Sequence, residues 1–120
     1  MTPGARVQAA IEVIDRVLAG SAAERELTTW ARGSRYAGSK DRAAVRDHVF
    51  DALRRLRSAA WAGGAGDVAL PQMSGRAVMA GCLTGQGIDP ATLFTGEGHA
   101  PAPLDPRPDP GPAPEGVMLD

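Results

Sequence analysis

Aromatic side chains are scarce in this sequence: Trp30, Tyr36, Phe50, Trp61 and Phe94 are all that 120 residues contain. A core with so few must rest on Ala, Val, Leu and Ile, which suits tightly packed helices. Cysteine is scarcer still. Cys82 stands alone, which excludes an intramolecular disulfide. Its neighbours Met79, Ala80 and Leu83 make it read as a small buried hydrophobe rather than a nucleophile. His48 has no neighbouring His, Cys or carboxylate at ligand spacing beyond Asp47 and Asp51, so no metal site is expected. No apolar run reaches the ~18 residues of a membrane span, and the N-terminus lacks a signal peptide's apolar core. A cytoplasmic chain without membrane contact is expected.

Proline is unevenly spread. Seven of the ten prolines fall between Pro101 and Pro114, so 97–120 reads as a Pro-rich, disordered tail and 1–96 as the folding unit. Roughly 95 residues lies near the small end for an independently stable core. Charge is uneven too. Met1 to Trp61 carries eleven Arg and Lys against seven Asp and Glu, net +4, whereas Ala62 to Asp120 carries two against seven, net −5. The overall charge of −1 conceals a basic half, a hint of nucleic-acid contact on one side. Val117-Met118-Leu119-Asp120 turns apolar again after the prolines and reads as the start of a further segment.

Helical periodicity dominates what remains, and no stretch alternates as a strand does, so the fold class is all-α, a small helical bundle. Thr2-Pro3 reads as an N-cap followed by proline at the first helical position. Val7, Ala10, Ile11, Ile14 and Leu18 then recur at helical spacing up to Gly20. Ser21-Ala22-Ala23-Glu24 has the form of a capping box opening a second helix that ends near Gly33. After a loop from Ser34 to Gly38, Ser39 is expected to cap a third helix, roughly Lys40 to Ala60, with Val45, Val49, Ala52, Leu53, Leu56 and Ala60 as its apolar stripe. Gly63-Gly64-Ala65-Gly66 ends it. Ser74 to Leu83 forms a shorter helix, and Asp89-Pro90 opens about one turn through Phe94. Trp30 and Trp61 read as core anchors. Gly81 to Gly87 follows a helix rather than a strand, so its glycines are not a dinucleotide fingerprint.

The third helix carries the most chemistry. At about 100° per residue, Arg46, Arg57 and Arg54 follow one edge of the apolar stripe with Phe50 among them, and Asp51 can pair with Arg55 on the far side. Such a row can neutralise successive phosphates, with Lys40, Arg35 and Arg32 extending it from the helix start and preceding loop. It can equally be a solvated edge whose arginine stems cover apolar surface. Arg42 falls inside the apolar arc in the first turn, where the helix dipole disfavours a cation. It is expected to meet a carboxylate such as Glu26 or Asp15, or else RNA.

The segment from Gly38 to Arg55, with Asp41-Arg42-Ala43, Val45, Val49, Leu53 and Arg54 in helical register, resembles a helix of the NusB-like domain that precedes the catalytic domain in ribosomal RNA cytosine-5 methyltransferases of the RsmB/Fmu (Sun) family. Arg6 to Ile14 is similar to that domain's first helix, and Leu93-Phe94-Thr95-Gly96 with the Pro-rich connector looks like its junction with the methyltransferase domain. The resemblance spans about residues 3 to 96. It implies a helical RNA-gripping domain whose S-adenosylmethionine and catalytic cysteines belong to a following methyltransferase domain. The family's Pro-Cys and Thr-Cys contexts are absent, as is any adenosylmethionine-binding unit, so no catalytic or cofactor-binding residue carries over.

Two functions follow as expectations. The first is an RNA-binding accessory domain, non-catalytic by itself, that contacts RNA (ribosomal RNA by the resemblance) through Arg35, Lys40, Arg46, Arg54 and Arg57. The second is a NusB-like protein–protein module that docks a partner protein or, in cis, a methyltransferase domain.

Overall fold

The computed structural model of the protein describes residues 1–64 and 73–105. They form five α-helices and one short 3₁₀ turn, with no strand among the described residues. The helices are α1 (Pro3–Leu18), α2 (Ala23–Gly33), α3 (Ser39–Arg54), α4 (Leu56–Ala62) and α5 (Gly75–Gly85), and the turn is Pro90–Thr92.

Local signals set several of these ends. Thr2 Oγ1 accepts from the Ala5 N–H at 3.1 Å, with Pro3 opening α1. Ser74 Oγ accepts from Ala77 N at 3.3 Å to start α5, and Asp89 Oδ1 accepts from Ala91 N at 3.0 Å before Pro90. All five apolar positions read along α1 (Val7, Ala10, Ile11, Ile14 and Leu18) are buried. Around them close Val45, Val49 and Ala52 of α3 and Val78, Met79, Cys82 and Leu83 of α5. Cys82 is thus a core hydrophobe, and burial pushes its thiol pKa up.

Several expectations are corrected. The Ser21–Glu24 capping box does not form: α2 has Ala22 at its N-cap with no side-chain cap bond, because the Glu24 carboxylate is taken by Arg46. The cap of α3 is Gly38 rather than Ser39, and Asp41 Oδ2 accepts from the Gly38 N–H at 2.9 Å. The long third helix is two. Arg55 leaves the helical region (φ −121°, ψ 34°), and α4 restarts at Leu56. Asp51 pairs with Arg54, one residue short of the expected Arg55.

Arg42 is exposed rather than internal, and neither expected partner reaches it. Glu26 binds Arg16 at 3.3 Å, and Asp15 Oδ1 accepts from Gly75 N at 2.7 Å, tying the start of α5 to α1. The angular positions on α3 give the reason. With Arg46 at zero, the deeply buried Val49, Val45 and Ala52 lie near −60°, −100° and −120°, while Leu53 near −20° is only half-buried. The inward face is therefore centred close to −100°. Asp41, near −140°, falls within it, and Arg42, near −40°, falls on its margin.

Residues 97–105, read as the beginning of the tail, lie against the bundle. Pro101 is fully buried, Leu104 packs on the core, and Gly96 N donates to Pro101 O at 2.8 Å. Arg76 of α5 holds this segment through the Ala102 and Pro103 carbonyls at 2.6 and 2.7 Å, its guanidinium 5.0 Å over the buried Phe94 ring. The disordered-tail reading of 106–120, including Val117 to Asp120, and the Ala65–Gly66 helix stop lie outside the described residues.

Candidate nucleic-acid interface

The turn between α2 and α3 sorts its residues by size and charge. Ala37 N donates to Ser34 O at 2.9 Å, closing a four-residue turn. Its two ends face inward, Ser34 at 6% and Ala37 at 4% exposure. The two central residues, Arg35 and Tyr36, are therefore pushed outward, and Tyr36 is 72% exposed. Arg32, in the last turn of α2, and Lys40, in the first turn of α3, are exposed on either side of this corner.

Asp41 is the one carboxylate between Arg32 and Arg42, and it is turned inward. Besides the Gly38 N–H it accepts from Arg6, Nε at 2.9 Å and Nη2 at 2.8 Å, and the Met1 amine lies 3.6 Å away. Arg6 therefore neutralises it on the α1 side. Arg32, Arg35, Lys40 and Arg42 make no ion pair among the described residues. An exposed aromatic ring flanked by unpaired cations can take phosphates on the cations and an unpaired base on the ring.

The Gly38 N–H and the Arg6 guanidinium hold the Asp41 carboxyl below the ordinary carboxylate range. A folded-state pKa below the unfolded value gives stability that is fully present above about pH 4 and is lost as pH falls through the folded value. Asp41→Asn keeps an acceptor for Gly38 but drops the charge facing Arg6. The variant is expected to melt below the wild type at neutral pH, and the gap should close on acidification below about pH 4. Thermal melts across that range check it; a gap that persists unchanged at pH 2 would contradict the assignment.

The other expected RNA contacts are differently placed. Arg46 Nη1 binds Glu24 Oε2 at 2.8 Å, Nη2 binds Oε1, and the guanidinium lies 4.9 Å over the Phe50 ring. This pair ties α3 to α2, lowering the Glu24 pKa and raising that of Arg46 through the shared hydrogen bonds. Arg54 is held by Asp51 on its own helix. Arg57 lies beyond the break, on α4, so it does not continue the row of α3. The five residues read as one basic edge thus divide: Arg35 and Lys40 at the corner, Arg46 and Arg54 occupied by carboxylates, Arg57 on another helix.

Charge patterning along the sequence gives the exposed Tyr36 no role. The signal that marks it is local: small Ser34 and Ala37 bracket a bulky, polar Arg-Tyr pair in a turn. His48 is half-buried, which pushes its imidazole pKa down. No group of three His, Cys, Asp or Glu side chains poised for a metal occurs among the described residues, nor does any described helix have the length and apolarity to cross a membrane. Comparison with protein families, curated proteins and solved structures returns no match to this chain.

Proposed function

We propose that this chain is an RNA-binding helical module. The observation that carries the reading is the corner of Arg32, Arg35 and Lys40 around the 72% exposed Tyr36, with the only intervening carboxylate facing inward. Phosphate contacts supply affinity and register, and the tyrosine face supplies a stacking surface for an unpaired base. The likeness of Gly38–Arg55 and Arg6–Ile14 to the NusB-like domain of ribosomal RNA cytosine-5 methyltransferases supports the same reading. On it, the module grips ribosomal RNA in the cytoplasm for a catalytic domain that carries S-adenosylmethionine and the reactive cysteines. The chain's own role is then binding and positioning.

Fluorescence anisotropy with a labelled RNA hairpin, at several salt concentrations, tests this. Three phosphate contacts predict a log–log salt slope of about −2 for single-stranded contacts. Arg32→Ala, Arg35→Ala and Lys40→Ala together should flatten that slope. Tyr36→Ala should weaken binding by about 1–3 kcal/mol, the usual cost of a lost stacking platform. Arg46→Ala with Arg54→Ala, whose guanidinium groups are already engaged, is the comparison expected to change the slope least. No binding at low salt, or a slope that survives the triple substitution, would refute the proposal.

A further inference from the structure

An open groove of about 540 Å³ runs along the N-terminal half of α1, between Trp30 of α2, Tyr36 of the corner and the loop at Glu97. Its floor is apolar, formed in part by Ala5 and Ala9, and Trp30 and Tyr36 supply aromatic surface. Its acidic groups are Glu12 and Glu97. No Lys or Arg lines it; its basic groups are the His99 imidazole and the Met1 amine, which lies 3.6 Å from Asp41. Glu12 accepts a 3.4 Å hydrogen bond from Gln8, and neither Glu12 nor Glu97 forms an ion pair among the described residues.

The geometry points to an arginine side chain, presented by an extended segment of a protein partner, as the occupant of this groove. Each part of the groove matches one part of that side chain. The three-carbon stem needs an apolar floor, which the alanines give. The guanidinium is planar and weakly hydrated, so it stacks on aromatic faces where an ammonium is held less well. Its N–H groups need carboxylate acceptors, and Glu12 and Glu97 are the two within the lining. Charge complementarity selects against the polyanion that suits the neighbouring corner: two carboxylates, with no Lys or Arg beside them, disfavour phosphate. The corner and the groove thus sort two partners of opposite charge, with Tyr36 on the border. The groove stands on its own lining and does not depend on RNA binding.

The test uses the whole chain and short capped glycine–serine peptides that differ at one position: arginine, lysine or citrulline, the neutral isostere of arginine. Binding is followed by NMR through the Trp30 indole N–H, with Trp61 as internal reference. The arginine peptide should shift the Trp30 signal and saturate in the millimolar range, about the affinity of a single small contact. The lysine peptide should bind more weakly, and the citrulline peptide should leave the signal in place. Glu12→Gln with Glu97→Gln should weaken arginine binding about tenfold, and Tyr36→Ala about two- to fivefold. Glu12, Glu97 and Tyr36 are exposed, so these variants should melt near the wild type, which circular dichroism verifies. The triple corner substitution should leave arginine binding in place, which separates this inference from the RNA reading. Equal binding of the arginine and citrulline peptides, or full affinity in the double glutamine variant, overturns it. So does an RNA hairpin that moves the Trp30 signal while the arginine peptide does not.

Discussion

Gly81→Ala is expected to destabilise the protein by about 2–3 kcal/mol, although alanine is the better helix former. An ideal Cβ at Gly81 would lie 2.7 Å from the carbonyl carbon of Ala59 and 2.8 Å from the Gly63 nitrogen, and closer still to the Ala59 oxygen. These are backbone atoms of α4 and its C-cap, which cannot rotate aside as a side chain can. The contact is two-sided. A Cβ on Gly63 would lie 2.6 Å from the carbonyl carbon of Ala77 in α5. The helices therefore touch backbone to backbone, and one methyl group must push them apart along their whole interface. The propensity gain of about 1 kcal/mol in a helix interior is outweighed by that displacement. Gly85, in the last turn of the same helix, has nothing within 4 Å of an added Cβ, so Gly85→Ala should stabilise slightly, by about 0.5–1 kcal/mol. Urea unfolding of both variants decides the matter. The same sign for both would mean that close approach does not set the α4–α5 packing.

Phe94→Ala should cost about 3–5 kcal/mol, the range for emptying a large buried aromatic site. Phe94 is 2% exposed and heads the fully buried side chains by volume. Small domains have total stabilities of about 5–15 kcal/mol, so the variant should be close to unfolding at physiological temperature. The loss reaches beyond the cavity. Arg76 stacks on this ring while binding the carbonyls of Ala102 and Pro103, so the substitution also removes the support that keeps 96–105 on the bundle. Chemical denaturation should give the lower stability, and limited proteolysis should show earlier cleavage near Gly98. A loss below about 1 kcal/mol, far under the cavity range, would mean that this segment lies outside the cooperative unit.

The candidate sites were legible in unequal measure. Arg35 and Lys40 were marked by charge alone and remain at the surface corner. Arg46 was marked by the same rule, yet it meets Glu24, which lies 22 residues earlier in the chain. A wheel places residues around one axis and contains no second helix, so it could not anticipate that carboxylate. Glu24 itself had been given a local partner in Ser21, and the long-range guanidinium won because it offers two charge-assisted hydrogen bonds. The groove had no signature along the chain, since Glu12, Trp30, Tyr36 and Glu97 come from four separate segments.

Physics that acts over a few residues is legible along the chain. Thr2-Pro3, Ser74 and Asp89-Pro90 cap their own backbone, and Val7 to Leu18 defines a buried face by periodicity, so the helices and most of the core follow from neighbours in the chain. Tertiary structure alone decided which charges were paired inside the fold and which were left at the surface. Asp41 turned inward to Arg6 and Gly38, Arg46 closed on Glu24, and Arg35 with Tyr36 was pushed out by a turn whose small ends could be buried. The reason is the reach of each force. Caps and periodicity are settled within one or two turns, whereas an ion pair or a glycine-to-backbone contact exists only after distant helices have come together.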